Sequence, residues 1–447
     1  MQNKEKNYLF LIISHFLLGV LVFNAPILSK VYSFLIIIIG LLVIVKKQNK
    51  GEEVLYVCAY IVGSEVFLRM TNGNPNHEFA KYSIMFFFVL GYIYSGITKV
   101  ALPFILFLIL LIPGIIVATE SLDLFVDFRK RIAFNLSGSI CLAIASLYTF
   151  GRKVDIEQVG SVLLVLALPI IPAAVYTQLF TPNIKEVLTS TASNSDLSGG
   201  FGPNQVATLF GLGMFIFFSR ILLHSRTKII FIINLVVTFY LGYRGLLTFS
   251  RGGMITGFVM ILIFIFFVYK YSKSKIIINY FVGVFIILSL IIWSYTSVIT
   301  DGLIDKRYAG KNAAGVEKQD KFSGRGKLVD EEITWFLDNP FFGIGVGKGT
   351  DIRTEKYGFL YASHDEITRL LAEHGIFGIL ALMILFFTPI FYYMGNKEHI
   401  YMLCFLVFWF LTINHAAMRT ASPAFVYALS LLNVRFVTDE KTSLHRE

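Results

Sequence analysis

Charged residues are scarce in this sequence. They make up 15% of the 447 residues, whereas soluble globular proteins carry about 25%. Only three cysteines are present, Cys58, Cys141 and Cys404, and all three lie inside apolar runs, which excludes a disulfide-stapled secreted domain. Hydrophobic residues reach 56%, and the mean hydropathy is +0.70. This composition also excludes a disordered chain and an ordinary cytosolic enzyme.

Long apolar runs dominate what is present. A membrane-spanning helix needs about 20 apolar residues, and runs of that length recur from residue 8 to residue 437. The ~10-residue alternation of an outer-membrane barrel is missing. Although the net charge is +10, the basic residues are scattered between the runs, so no nucleic-acid partner is expected. The sequence predicts an all-α polytopic membrane protein with about 12–14 transmembrane helices and one large folded periplasmic loop.

The positions of Lys and Arg predict the orientation. Connections on the cytoplasmic side carry an excess of both residues. Lys46-Lys47 and Arg152-Lys153 follow this rule when the N-terminus is cytoplasmic, and the connection 71–78 on the other side carries neither residue type. Arg244 and Arg251 then fall on the outer side, against the bias. A miscounted span, contact with lipid head groups or a bound anion would each account for them. We expect a multi-pass inner (cytoplasmic) membrane protein with its functional face towards the periplasm.

One hydrophilic region interrupts the apolar runs. It is longer than a simple connector, and loops of such length are usually functional or disordered. A helical pattern over residues 327–338, ended by Asn339-Pro340, argues against disorder. The predicted organisation is 1–298, a transmembrane bundle of about 11 spans; 299–373, a large periplasmic loop with short helices; 374–437, about three further transmembrane helices; and 438–447, a cytoplasmic tail.

Four segments on the predicted outer face could carry chemistry. They are Gly199 to Asn204, Ser250 to Gly253, Arg325 to Lys348, and Ser363 to Glu366. Each also has a simpler structural interpretation: a proline-led helix start, a helix N-terminus, an ordered glycine turn, and a structural histidine. The glycine cluster fails as a P-loop, because Phe342 and Gly349 stand at required Gly and Ser/Thr positions.

The titratable groups favour acid–base chemistry over metal chemistry. Arg251 has the planar guanidinium that suits phosphate oxygens, and His364 titrates near neutrality and can accept a proton from a hydroxyl. His364 lacks the HExxH spacing of a zinc site, and no Asp-x-Asp pair occurs. No metal and no cofactor are therefore expected.

In combination the four segments resemble the bacterial O-antigen ligase and O-antigen polymerase superfamily. The resemblance covers roughly residues 199–385. The family pattern includes a Pro-Asn turn, a Ser-Arg-Gly helix start, an outer loop with an Arg before a helix, an Asn-Pro-x-x-Gly-x-Gly turn and a His. The corresponding residues here are Gly200 to Asn204, Ser250-Arg251-Gly252, Arg325, Asn339 to Gly345, His364, and Glu373 to Gly378. Asp365 follows the histidine where the family usually has Asn.

The resemblance implies a metal-independent, inverting glycosyltransferase. Such an enzyme moves a glycan from undecaprenyl diphosphate to an acceptor hydroxyl, with membrane lipids around it. It implies catalytic roles for His364, Arg251 and Arg325 and substrate binding by Arg251, Arg325 and three further residues. These three are Arg244, Asn204 and Asp365.

The acceptor stays open at the level of the sequence. The first interpretation is an O-antigen ligase of lipopolysaccharide biosynthesis, which uses lipid A-core as acceptor. A polymerase of O-antigen or another exopolysaccharide, and then a protein O-oligosaccharyltransferase, are the alternatives within the superfamily. A glycolipid flippase or transporter is the alternative from another class, but it would be expected to carry internal repeats, and none is visible. A structural scaffold gives no reason for outward arginines.

Overall fold

The structure of this chain is a computed structural model that describes residues 2–96, 101–122, 127–181, 183–272, 275–318, 325–358 and 362–436. Within these ranges the regular secondary structure is α-helical, apart from one 3-10 turn (Asp196–Ser198), one sheet of two short strands, and an isolated antiparallel bridge between Lys311 and Glu317. The predicted tail, residues 438–447, lies outside the described residues. The α-helices of the described chain are α1 (Gln2–Asn24), α2 (Ile27–Lys47), α3 (Glu53–Met70), α4 (Phe79–Ser95), α5 (Leu102–Ser121), α6 (Phe128–Thr149), α7 (Ile156–Ala167), α8 (Ile170–Phe180), α9 (Ile184–Val187), α10 (Pro203–Leu223), α11 (Lys228–Leu247), α12 (Arg251–Tyr271), α13 (Lys275–Ile299), α14 (Leu303–Tyr308), α15 (Arg325–Asp338), α16 (Lys348–Tyr357), α17 (Glu366–His374), α18 (Ile376–Met394), α19 (Met402–His415) and α20 (Ser422–Leu429).

The predicted fold class is confirmed. Among the described residues, ten segments are long and apolar enough to cross a membrane: α1, α2, α5, α6, α7 together with α8, α10, α11, α12, α13 and α18. Shorter helices account for the difference from the predicted 12–14. The apolar helices α4 and α19 are shorter than a typical span, and α3 carries three charged residues, Glu53, Glu65 and Arg69.

The helix α10 forms the centre of the bundle. It is almost wholly buried and packs against α11 and α12, whereas α13 is mostly exposed. The α12 helix packs in turn against α19, and α20 packs against α6. The exposed faces of the outer helices are apolar, as expected where hydrocarbon replaces water around the protein.

Different structural elements cover the two ends of the helix bundle. At one end, strand β1 (Lys153–Asp155) pairs in parallel with β2 (Asn433–Arg435). Next to β1, the Arg152 guanidinium contacts the carboxylate of Glu52 at 3.0 Å. At the other end, the last turn of α3 contacts the connection from α19 to α20, and this connection contacts the segment before α17. The candidate site lies at this second end.

The hydrophilic region folds into short helices. Its predicted helix over 327–338 is confirmed as α15. After α15 the chain makes an ordered turn, in which Gly343 and Gly345 adopt left-handed φ values of 71° and 92°. A Cβ atom on Gly343 would lie 2.4 Å from the carbonyl carbon of Glu373, so this turn requires glycine. The backbone N–H of Ile344 donates to Ala372 at 2.8 Å and fixes the turn against α17.

Candidate active site

A polar cavity of about 720 Å³ opens at this second end of the bundle. Volumes of 300–1,000 Å³ are typical of small-molecule sites. The cavity is bounded by the first residues of α10 and α12, by α14 and α15, by the segment before α17, and by the end of α19. Its polar lining residues are Ser193, Asn204, Ser250, Arg251, Arg307, Asp330, Glu332, Ser363, His364, Asp365, Asn414 and His415.

Glycines bring two of these helices together. A Cβ on Gly211 of α10 would lie 2.3 Å from the carbonyl oxygen of Gly253 in α12, and one on Gly257 would lie 2.5 Å from the carbonyl oxygen of Gly211. Small residues allow such close helix approach in membrane proteins. The N-terminal ends of α10 and α12 therefore lie side by side, and the Ser250 hydroxyl donates to Asn204 Oδ1 at 2.8 Å.

Positive charge collects beside the start of α12. Arg251 is its first residue, and Arg307 of α14 donates from Nε to the carbonyl oxygen of Phe249 at 2.8 Å. Lys318 belongs to the same cluster: burial lowers the pKa of its ammonium group, and the guanidinium charges of Arg307 and Arg251 lower it further. Helix N-termini and arginines both favour bound anions, so this wall of the cavity suits a phosphate or diphosphate.

His364 lies in a turn that two hydrogen bonds of Ser363 hold in place. The hydroxyl of Ser363 donates to Glu332 Oε2 at 3.2 Å, and Arg419 donates to the carbonyl oxygen of Ser363 at 2.9 Å. Glu332 is itself buried and contacts Arg353 at 2.8 Å. These contacts hold the backbone on the N-terminal side of the histidine, and its ring lines the cavity.

Asp365 holds the other side of the turn as the N-cap of α17. Its Oδ1 accepts from the backbone N–H of Ile367 at 2.8 Å and of Thr368 at 3.3 Å. Burial raises the pKa of this carboxyl to about 6, and the carboxylates of Glu332 and Glu366 act in the same direction, against the lowering effect of the two N–H donors.

The structure brings four of the six predicted site residues to one cavity: Asn204, Arg251, His364 and Asp365. Arg325 begins α15, and the next residue, Gly326, lines the cavity. The side chain of Arg325 lies outside the described part of the chain.

Arg244 occupies a different place. It is fully buried between α11 and α8, where its Nε donates to Thr177 at 3.1 Å and its Nη1 donates to Gln178 at 2.9 Å. The cavity lining that the structure describes does not include it. Arg244 therefore joins α11 to α8 by hydrogen bonds, and its part in binding the same anion as Arg251 stays a prediction.

Sequence reasoning missed Arg307, Glu332 and His415. In the sequence, Arg307 is one basic residue among many in the hydrophilic region, and Glu332 is one acidic residue of an amphipathic helix. His415 ends an apolar helix, where a histidine more often serves packing. Its Nε2 lies 3.1 Å from Thr208 Oγ1, and its ring lies 2.5 Å from where a Cβ on Gly252 would be. The Gly252-Gly253 pair is a local signal for such a contact, because two residues without side chains leave room for a neighbouring side chain such as His415.

A second, apolar pocket of about 310 Å³ adjoins the polar cavity, and both share Ile255. Its lining comes from α10 to α14 and includes Phe239, Phe258 and Trp293. Tyr308, next to Arg307, also lines it. An apolar groove beside an anion-binding wall suits a lipid that carries a phosphorylated head group.

Among the residues that the structure describes, no group of three or more His, Cys, Asp and Glu side chains is arranged to hold a metal ion. The cationic wall of the cavity offers guanidinium and backbone N–H groups to an anion, and these groups are not metal ligands.

The comparison with protein families bears on this site. Residues 236–383 match the family model described as O-antigen ligase. The chain contains an O-antigen ligase domain. The matched segment includes Arg251, Arg307 and His364, whereas Asn204 and His415 lie outside it. A search of the curated proteins found no match. The family indicates membrane glycan transfer of the ligase or polymerase type, by a multi-pass protein that acts on lipid-linked glycans.

Proposed function

We propose that this protein is a metal-independent, inverting glycosyltransferase that transfers a glycan from undecaprenyl diphosphate to an acceptor hydroxyl at the periplasmic face. The observation that carries the proposal is the meeting of Arg251 and His364 at one cavity, although they come from different ends of the O-antigen ligase domain. An anion site and a proton acceptor at one cavity are what this transfer requires.

The donor diphosphate binds at the cationic wall. Breaking the bond between the anomeric carbon and the diphosphate oxygen leaves negative charge on that oxygen. Arg251 and Arg307, with the N-terminus of α12, stabilise this charge by charge-assisted hydrogen bonds. The predicted role of Arg325 is the same, supported by the position of Gly326 at the cavity. The isoprenoid chain lies in the adjoining apolar pocket.

His364 is the base of the reaction. It accepts the proton of the acceptor hydroxyl while the hydroxyl oxygen attacks the anomeric carbon from the side opposite the diphosphate. The new glycosidic bond therefore forms with inversion. Asn204 and Asp365, which line the same cavity, contact the sugar next to the bond that breaks.

The distribution of basic residues supports the proposed orientation of the site. With a cytoplasmic N-terminus in the inner membrane, the end that holds the cavity faces the periplasm, and region 299–373 covers it between the bundles 1–298 and 374–437. Lipid A-core is the proposed acceptor, which makes the protein an O-antigen ligase. A polymerase that uses a lipid-linked repeat as acceptor is the second candidate, because the donor side of the cavity is the same in both.

A deletion strain separates these candidates. Long undecaprenyl-linked glycans should accumulate if attachment to lipid A-core is lost, whereas single repeat units should accumulate if polymerisation is lost. Plasmid-borne Arg251→Ala and His364→Gln should fail to restore surface glycan at matched membrane levels, while the exposed Arg226→Ala should restore it. Normal glycan with both site variants would contradict the site, and unchanged lipid-linked intermediates would contradict glycan transfer itself.

A further inference from the structure

His364 is reached from two sides. Besides the donor cavity, it lines a second polar pocket of about 380 Å³ on the other side of the turn that carries it. This second pocket, here called the 69–419 pocket, is bounded by the end of α3, the first halves of α4, α6 and α10, α17 with the segment before it, and the connection from α19 to α20. Among its lining residues are Arg69, Phe134, Phe201, Gln205 and Arg419.

We propose that the 69–419 pocket binds the acceptor, and that it takes a hydroxyl-rich glycan end without phosphate. The proposal rests on the proposed function, since it requires that His364 serve as the base. Inverting transfer needs the acceptor on the side of the anomeric carbon opposite the diphosphate. Two pockets that meet at His364 provide separate places for the two substrates.

The lining has the chemistry of a sugar site. Phe134 is 47% exposed and Phe201 half-buried, so their rings can pack against the apolar C–H face of a sugar. Gln205 contributes an amide that both donates and accepts hydrogen bonds. The size of the pocket lies within the usual range for small ligands.

The charges of this pocket argue against a phosphate ligand. Arg69 contacts Glu65 at 2.8 Å, and Lys81 contacts Glu78 at 2.6 Å. Arg369 contacts Glu373 at 2.6 Å and also pairs with Glu366. A phosphate would have to compete with these carboxylates, whereas hydroxyl groups can use the remaining lone pairs and protons. The donor cavity has in addition the N-terminus of α12 beside Arg251 and Arg307, and a helix N-terminus favours a bound anion.

Arg419 joins the pocket to the base. Its guanidinium lines the 69–419 pocket and donates to the Ser363 carbonyl at 2.9 Å. Arg69 in turn donates to the Arg419 carbonyl at 3.2 Å. The wall of the proposed acceptor pocket and the turn that carries His364 are thus one hydrogen-bonded unit.

The test uses full-length protein in nanodiscs and two measurements. The first measures the binding of undecaprenyl diphosphate. The second measures the transfer of the bacterium's own glycan from undecaprenyl diphosphate to lipid A-core, at increasing lipid A-core concentration. Gln205→Ala and Phe134→Ala should each raise KM for lipid A-core about tenfold, which corresponds to about 1.4 kcal/mol. Binding of undecaprenyl diphosphate should stay within twofold. Phe391→Ala, which removes a ring that is 67% exposed outside both pockets, is the matched control.

The outcomes separate the two proposals. A wild-type KM for lipid A-core in both Gln205→Ala and Phe134→Ala would overturn the assignment of the acceptor pocket. Loss of undecaprenyl diphosphate binding in these variants would overturn it as well. Neither result would contradict the proposed function. If the wild-type protein transfers glycan neither to lipid A-core nor to a lipid-linked repeat, the proposed function fails instead. Lipid A-core stripped of its phosphates should be used as well as the native acceptor, and loss of transfer would overturn the assignment to a phosphate-free glycan end.

Discussion

The hydroxyl of Ser250 donates a 2.8 Å hydrogen bond to Oδ1 of Asn204, and this bond joins the N-terminal ends of two central helices. Asn204 lies in the first turn of α10, and Ser250 is the N-cap of α12. A helix N-terminus carries about half a positive charge. Two such ends beside Arg251 therefore present one concentrated positive field to the cavity.

The close packing of α10 on α12 should be necessary for this arrangement. We expect Gly211→Ala and Gly257→Ala to separate the helices, because each new Cβ would meet a backbone atom at 2.3 or 2.5 Å. Each variant should lower transfer about tenfold or more, since small displacements of reacting groups can cost up to about 100-fold. The measurement is the transfer rate at matched protein level.

Gly283→Ala is the control for this pair, because a Cβ on Gly283 meets nothing within 4 Å. It lies in a helix like the other two and should retain wild-type transfer. Wild-type rates in Gly211→Ala and Gly257→Ala would show that the helix spacing does not determine the geometry of the site.

Arg307 should matter as much as the predicted arginine of α12. Its Nε holds the Phe249 carbonyl next to Ser250, and its side chain lines the cavity. We expect Arg307→Ala to lower transfer about 100- to 1,000-fold, the usual cost of removing one donor that stabilises developing charge. Steady-state transfer and binding of undecaprenyl diphosphate should both be measured, and both should fall.

Arg226→Ala serves as the comparison, because the Arg226 side chain is 71% exposed and pairs with Glu157. Exposed ion pairs contribute little, so this variant should behave like the wild type. Equal transfer activity of Arg307→Ala and Arg226→Ala would contradict the role of Arg307 in binding the donor.

The carboxylate of Glu332 should hold the turn that carries His364. It contacts Arg353 at 2.8 Å, accepts from Ser363 at 3.2 Å and also accepts from the Thr368 hydroxyl. Glu332→Ala removes the closer of the two carboxylates that pair with the buried Arg353, while Glu331 keeps its contact at 3.3 Å. Because Arg353 keeps this partner, we expect a cost below the ~3–5 kcal/mol of a buried charge that loses its only partner. We expect a lower thermal unfolding temperature together with loss of transfer.

The exposed Glu355, on the neighbouring helix α16, gives the matched control. Glu355→Ala should leave both the unfolding temperature and transfer unchanged. If Glu332→Ala unfolds at the wild-type temperature, the Glu332–Arg353 contact does not stabilise the region around α15.

The fold class and part of the site were predictable from sequence for separate physical reasons. Apolar runs of about 20 residues predict spans directly, and the local motifs at Arg251 and His364 carry recognisable chemistry. Arg307 and His415 were not predictable, because nothing in their own neighbourhoods marks them. They reach the cavity through tertiary packing of α14 and α19, which a local pattern does not encode. For Arg244 the sequence predicts a position at the outer end of a span, but it does not predict the direction of the side chain, which turns to Thr177 and Gln178.

The stability of the protein should depend on pH through Asp365. Burial raises the pKa of this carboxyl from 3.8 to about 6 in the folded protein. Between these two pH values the folded protein keeps a proton that the unfolded chain has lost. The free energy of unfolding therefore falls as the pH rises from about 4 to about 6 and loses no more from this group above that range.

Asp365→Asn should remove this dependence and keep the helix cap, because an amide oxygen accepts from the N–H groups of Ile367 and Thr368 as a carboxylate does. At pH 7 the variant should unfold at a higher temperature than the wild type, and the difference should vanish towards pH 4. Asp365→Ala also removes the charge but loses the cap, at a cost of about 1 kcal/mol, so it should unfold at a lower temperature than Asp365→Asn at every pH. Thermal unfolding of the purified protein from pH 4 to pH 8 measures all three. A lower unfolding temperature for Asp365→Asn than for the wild type at pH 7 would mean that the Asp365 carboxylate stabilises the fold, contrary to its burial among Glu332 and Glu366.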